Sequence, residues 1–104
     1  MEKIVVVTLA VEVPHEGYQE PHTELFLWGG RESLDDIVLR IFRTISMNHQ
    51  ILEILDQTSW AYDHKVFASV AGFNVSLHIQ KRICVGLKKY FKQARIPLVN
   101  NWVN

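Results

Sequence analysis

The sequence predicts an α+β fold of order ββαββα, in which two helices pack on one face of a four-stranded antiparallel sheet. Two kinds of pattern lead to this prediction. Alternating apolar residues occur near the N-terminus and again after residue 65, and two stretches with a helical apolar period follow them in turn. The 104 residues are expected to form a single domain, 1–104.

The first two strands are predicted at residues 3–13 and 23–28. In the first, valine and leucine at odd positions from Val5 to Val13 indicate one strongly buried face, and Pro14 ends the strand because proline removes a ladder donor. The short connection between the strands favours an antiparallel hairpin. Gly29-Gly30 then breaks the chain and is a possible anion-binding turn before the next helix.

A central helix is predicted over residues 33–56. Its apolar stripe repeats every seven residues through Leu34, and Ser33 is the expected N-cap. Asn48 is the polar residue on this stripe. It either fixes the register of paired helices or marks a kink in a stretch of weak helix propensity.

Residues 65–80 predict a second hairpin, with a turn at Ala71-Gly72. Apolar residues alternate strictly with polar ones from Phe73 to Gln80, which is the strongest strand pattern in the chain. The alternative is a helix from residue 66 onward. A second helix is predicted over 81–95, ending before Pro97.

The second helix is the first candidate binding surface, because it carries many cations and no acid. Residues 1–57 hold ten Asp and Glu against four Lys and Arg, whereas residues 58–104 hold one against seven. The expected ligand is an anionic partner, a nucleic acid or a phosphorylated small molecule. The alternative is a solvated helix face, or one paired with the acidic half of the chain. The candidate residues are Lys81, Arg82, Lys88, Lys89, Lys92 and Arg95.

A second candidate surface is apolar. Two residues lie off the stripe of the central helix, and several aromatic residues exceed what strand alternation would bury. This pattern predicts a homodimer interface that contains Leu39, Phe42, Trp28, Trp60, Tyr62 and Trp102.

The sequence offers little for catalysis. His15 and His22 flank a loop with nearby glutamates and are weak candidates for a metal site or an acid–base pair, although their spacing matches no defined metal motif. Cys84 lies beside Arg82 but near the apolar helix face, which favours a buried inert thiol. No catalytic motif or cofactor motif is present, so neither an enzyme nor a cofactor is predicted.

Taken together, these features predict a small protein-binding regulator or inhibitor that acts by occupying a partner's surface as a homodimer. Small regulators of phages and other mobile elements fit this description by size. The alternative is nucleic-acid or phosphorylated-ligand binding through helix 81–95. No apolar run is long enough to span a membrane and no signal peptide is recognised, so a cytoplasmic location is expected.

Overall fold

Five strands and two helices make up the described part of the chain. The computed structural model describes residues 2–13, 17–18, 21–48, 65–94 and 98–100. In chain order, the elements are β1 (Lys3–Val13), β2 (Gly17–Tyr18), β3 (His22–Trp28), α1 (Leu34–Met47), β4 (Lys65–Phe73), α2 (Leu77–Gln93) and β5 (Leu98–Asn100).

The centre of the sheet is three-stranded and antiparallel, with β1 between β3 and β4. Val7 lies opposite Glu24 of β3 on one side and Val70 of β4 on the other. The short β2 also pairs with β1, and β5 joins β4 in parallel over three residues. The α+β class and the antiparallel pairing of the first two predicted strands are confirmed. The predicted four antiparallel strands in a ββαββα order are wrong.

One face of the sheet carries the core. In β1, Val5, Val7 and Leu9 are buried, as their alternation predicts. Both helices pack on this face, because their buried residues belong to the same apolar cluster as these strand residues. The helices contribute Ile37, Val38, Ile41, Ile45, Ile83, Cys84, Leu87 and Phe91.

The turn before α1 is held by Trp28, Glu32 and Arg40. The indole Nε1 of Trp28 donates to the Glu32 carbonyl oxygen at 2.8 Å, and Arg40 Nε and Nη2 donate to the Glu32 carboxylate at 2.8 and 2.9 Å. The hydrogen bond from Arg40 lowers the pKa of Glu32, and the backbone amide of Gly29 lowers it further. The expected anion site at Gly29-Gly30 therefore already faces a carboxylate of its own chain.

Helix α1 begins as predicted but ends early. The Ser33 hydroxyl accepts a hydrogen bond from the Asp36 backbone N–H at 3.1 Å, so the predicted N-cap is confirmed. The helix ends at Met47, because Asn48 adopts an extended conformation with φ −80° and ψ 126°. The predicted continuous helix over 33–56 is thus interrupted at Asn48, a residue whose side chain competes with helical hydrogen bonding. Residues 49–56 lie outside the described part.

The prediction of a second hairpin over residues 65–80 is correct for its first strand and wrong for its second. Strand β4 ends at Phe73, and Asn74 then adopts a left-handed conformation with φ 59°. The Ser76 hydroxyl accepts a hydrogen bond from the Ile79 N–H at 3.2 Å and caps α2. Helix α2 therefore begins at Leu77, before the predicted start at residue 81. The alternative helix from residue 66 is also wrong, since 65–73 is a strand.

Candidate functional site

A groove runs between α1 and α2 on the helical side of the molecule. Its volume is about 550 Å³, which is within the range of known ligand pockets. The first two turns of α1 form one wall, and α2 forms the other from His78 to Gln93. The lining residues are Leu34, Asp35, Val38, His78, Lys81, Arg82, Val85, Gly86, Lys89, Tyr90 and Gln93.

The groove is narrow at its base because the two helices meet there without a side chain on α2. A Cβ atom at Gly86 would lie 2.9 Å from Cγ1 of Val38, closer than van der Waals contact permits. The ring of Tyr90 stacks on Phe42 of α1, with centroids 5.2 Å apart, and closes the base on one side. The contacts of Gly86 and Tyr90 therefore fix how closely the two helices approach.

The electrostatics of the groove are positive. Lys81, Arg82 and Lys89 line it and are exposed, against the single carboxylate of Asp35. Within the described residues, no ion pair joins a lysine or arginine of α2 to an acid; the two pairs found are Arg40–Glu32 and His22–Glu24. In that part of the chain, the cations of α2 are not neutralised by the acidic half.

The groove also carries exposed apolar surface among its cations. Val85, which lines the groove, is 57% exposed, whereas Leu77, which is 47% exposed, lies on α2 outside the lining. Apolar side chains in a cationic groove are suited to a ligand that is both acidic and apolar, because each kind of side chain then finds a matching contact.

The structure divides the predicted cationic residues into two sets. Lys81, Arg82 and Lys89 line the groove. Lys88 and Lys92 are exposed but lie outside it, and Arg95 lies outside the described residues. Leu34 and Val38 of the opposite wall could not be predicted from the sequence, since the pairing of α1 with α2 has to be known before they can be placed there.

A second surface is the sheet face opposite the helices, here called the open sheet face. Its central positions alternate with the core residues on β1, β3 and β4, and none is charged. Leu25 is 67%, Leu27 62% and Phe73 63% exposed. The face comprises Ile4, Val6, Thr8, Ala10, Thr23, Leu25, Leu27, Phe67, Ser69, Ala71 and Phe73. Phe67 and Ser69 already interact within the chain, so the available apolar patch is the part around Ile4, Leu25, Leu27 and Phe73.

Of the residues predicted for a dimer interface, the structure describes Trp28, Leu39 and Phe42, and none of these three lies on the open sheet face. Trp28 is buried at 9% exposure, with Lys3 Nζ 4.7 Å from the centroid of its ring system, and Phe42 packs between Tyr90 and Phe91. Both contribute to the core, which leaves them little surface for a partner. Leu39 is partly exposed on α1. Trp60, Tyr62 and Trp102 lie outside the described residues.

Of the candidate reactive groups, the structure describes His22 and Cys84, which lie on different elements. His22 Nε2 lies 3.5 Å from Glu24 Oε2 on the edge strand β3, and His15 falls outside the described residues. Burial raises the pKa of the Cys84 thiol to about 11, which outweighs the lowering effect of Lys88. Among the residues described, no three potential metal ligands cluster, and neither helix is long and apolar enough to cross a membrane.

Comparison of the chain with protein-family models, with curated proteins and with solved structures finds no match.

Proposed function

We propose that this chain is a small protein-binding regulator that holds an acidic, amphipathic segment of a partner protein in the groove between α1 and α2. The observation that carries the proposal is the combination of Lys81, Arg82 and Lys89 with exposed Val85 in one groove. The protein would regulate its partner by covering this segment and blocking its other contacts, without catalysing a reaction.

The length of the α2 wall, which extends beyond the shorter α1 wall, favours a helical segment. The α2 wall from His78 to Gln93 is about 22 Å long at the helical rise of 1.5 Å per residue. A partner helix of about four turns matches this length, with apolar residues at i, i+4 and i+7 facing Val85 and acids facing the lysines. Helix-in-groove recognition of this kind uses such anchors.

Nucleic acid is the second candidate, and it is supported by the charge of α2. It is less well supported by the side chains between the cations. Single strands bind by stacking bases on exposed aromatic rings, yet Tyr90 in the groove is stacked on Phe42, which leaves the imidazole of His78 as the exposed ring of the lining. Exposed Leu77 and Val85 have no counterpart on a phosphate backbone.

The test uses a labelled helical peptide that presents leucine and glutamate on one face, with fluorescence anisotropy as the readout. The control peptide has the same composition, with leucine distributed around the helix. Arg82→Glu with Lys89→Glu is expected to weaken binding of the first peptide by roughly tenfold or more, because acids would then face acids. Lys88→Glu with Lys92→Glu changes the net charge equally but lies outside the groove, and is expected to have a much smaller effect.

Two outcomes would overturn the proposal. One is no saturable difference between the amphipathic peptide and its control. The other is tight binding of duplex DNA that both double variants weaken equally, with the steep salt dependence of phosphate contacts. The second result would assign α2 to nucleic acid.

A further inference from the structure

We infer that the open sheet face is the docking surface for a second copy of this chain, and that two copies stack sheet to sheet. The inference does not depend on the groove, because it concerns the opposite side of the molecule. It rests on the composition, the charge and the size of the face.

The open sheet face carries large apolar residues, as surfaces buried in an interface do. Antiparallel sheets with one face in water normally carry polar residues there. Here Leu25, Leu27 and Phe73 are more than half exposed beside partly exposed Ile4 and Val6. Exposed apolar residues that form one continuous patch mark an interaction surface.

The charge distribution argues for a second copy as the occupant. The face has no charged residue at its central positions, and at its end Glu12 of β1 is paired in register with Lys65 of β4, so that this end carries one charge of each sign. A charged partner would find no complementary group at the central positions, whereas an identical face meets no like charge there. With layer spacings of about 10 Å, the two α2 helices would lie about 30 Å apart. That distance is several Debye lengths at physiological salt, so their positive charges would hardly oppose association.

The size of the face sets the expected strength. Three strands about 4.8 Å apart and seven residues long cover a flat area of roughly 350 Å², or about 700 Å² over two copies. The accessible surface is larger than this flat area, because the side chains project from the sheet. Specific interfaces begin near 1,200 Å² of accessible surface. The contact is therefore expected to give a reversible, concentration-dependent dimer with two-fold symmetry, in which Leu27 and Phe73 of each copy are buried.

Sedimentation equilibrium over a range of protein concentrations tests the inference. The unaltered chain is expected to form a dimer, and Leu27→Lys to remain monomeric at concentrations where the unaltered chain is dimeric. Leu77→Lys is the matched control, since it puts the same charge on an exposed leucine of α2 and should leave the dimer intact. Thermal unfolding followed by circular dichroism shows whether each variant is folded. Phe73→Lys provides a second disruption on β4, on the other side of β1 from Leu27.

A chain that is monomeric at the highest soluble concentration would overturn the inference. In that case, unfolding of Leu27→Lys at a markedly lower temperature would indicate that another segment of the same chain covers the face. A dimer that survives both Leu27→Lys and Phe73→Lys would equally overturn it, because association would then use a different surface.

Discussion

At the scale of single residues, Cys84 shows how packing decides reactivity. The cations of α2 would lower the pKa of an exposed thiol, and the sequence places Arg82 two positions away. In the fold, Cys84 has no exposed surface, and its Sγ lies 4.0 Å from the carbonyl oxygen of Ala68. Burial raises its pKa to about 11, so the thiol is protonated at neutral pH.

The folded chain is therefore expected to resist thiol-reactive reagents at neutral pH and to react once denatured. The ordinary pKa of the thiol is 9.0, and the folded value is higher. The native state thus retains this proton over a range in which the unfolded state loses it, and the free energy of unfolding should fall as the pH rises from about 9 to about 11. Absorbance with a chromogenic disulfide reagent, with and without urea, measures the labelling. Rapid labelling of folded protein near pH 7 would contradict the buried position.

At the scale of elements, helix and strand periods compete between Phe73 and Gln80. Apolar residues there alternate as in a strand, but the local backbone is set by Asn74 and Ser76, which end β4 and cap α2. The helical register buries Gln80 and exposes Leu77, the reverse of what hydrophobicity predicts. Position 79, the third residue after the cap, is isoleucine and not glutamate, so the sequence lacks a capping box that would have indicated the start of α2.

Removing this cap should destabilise the protein measurably. Ser76→Ala leaves the Ile79 N–H without its acceptor, and the expected loss is about 1 kcal/mol in the free energy of unfolding. Ser76→Asp retains an acceptor and adds a negative charge at a helix start whose first turn has no acid, so it should retain most of the stability. Urea denaturation compares the three proteins. Equal stability of Ser76→Ala and the unaltered chain would argue against a helix start at this position.

The elements with strong local signals were predicted from the sequence. β1 and the start of α1 each have an apolar period, β3 is a short apolar run, and a proline, a glycine pair or a serine cap marks one boundary of each. The cationic residues of α2 were also recognised, since their type and helical spacing are visible in the sequence. The groove was not, because Val38 and Gly86 are 48 positions apart in the chain and become neighbours only when α1 packs against α2.

At the scale of the whole molecule, the two proposed surfaces lie on opposite sides of the sheet. The sequence shows apolar residues at the positions of the open sheet face as well as at those of the core: Ile4, Val6, Leu25 and Leu27. A nearly continuous apolar run is typical of strands buried on both faces. Only one buried face was predicted for the sheet, because the excess apolar surface was expected on aromatic residues such as Trp28, which is in the core.

A dimer that stacks through its sheets would carry two outward-facing grooves. A tandem peptide with two acidic helices joined by a flexible linker long enough to span the dimer is expected to bind more tightly than a single helix, because the second contact becomes intramolecular. Leu27→Lys should remove this gain and leave the affinity for the single helix unchanged. Isothermal titration calorimetry with both peptides measures the two effects. An equal gain for the Leu27→Lys protein would show that the tandem effect does not need the dimer.

The pairing of β1 with β4 has a consequence for how the chain reaches its fold. The partners Val7 and Val70 are about sixty positions apart, so the central ladder can close only after a large loop of chain has been ordered. During synthesis, β1 and β3 are complete long before Phe73 emerges, and β1 then presents an unpaired edge to its surroundings. Such an edge is a template for pairing with other chains. A nascent chain of this protein therefore depends on rapid completion of β4, or on a chaperone, to avoid aggregation.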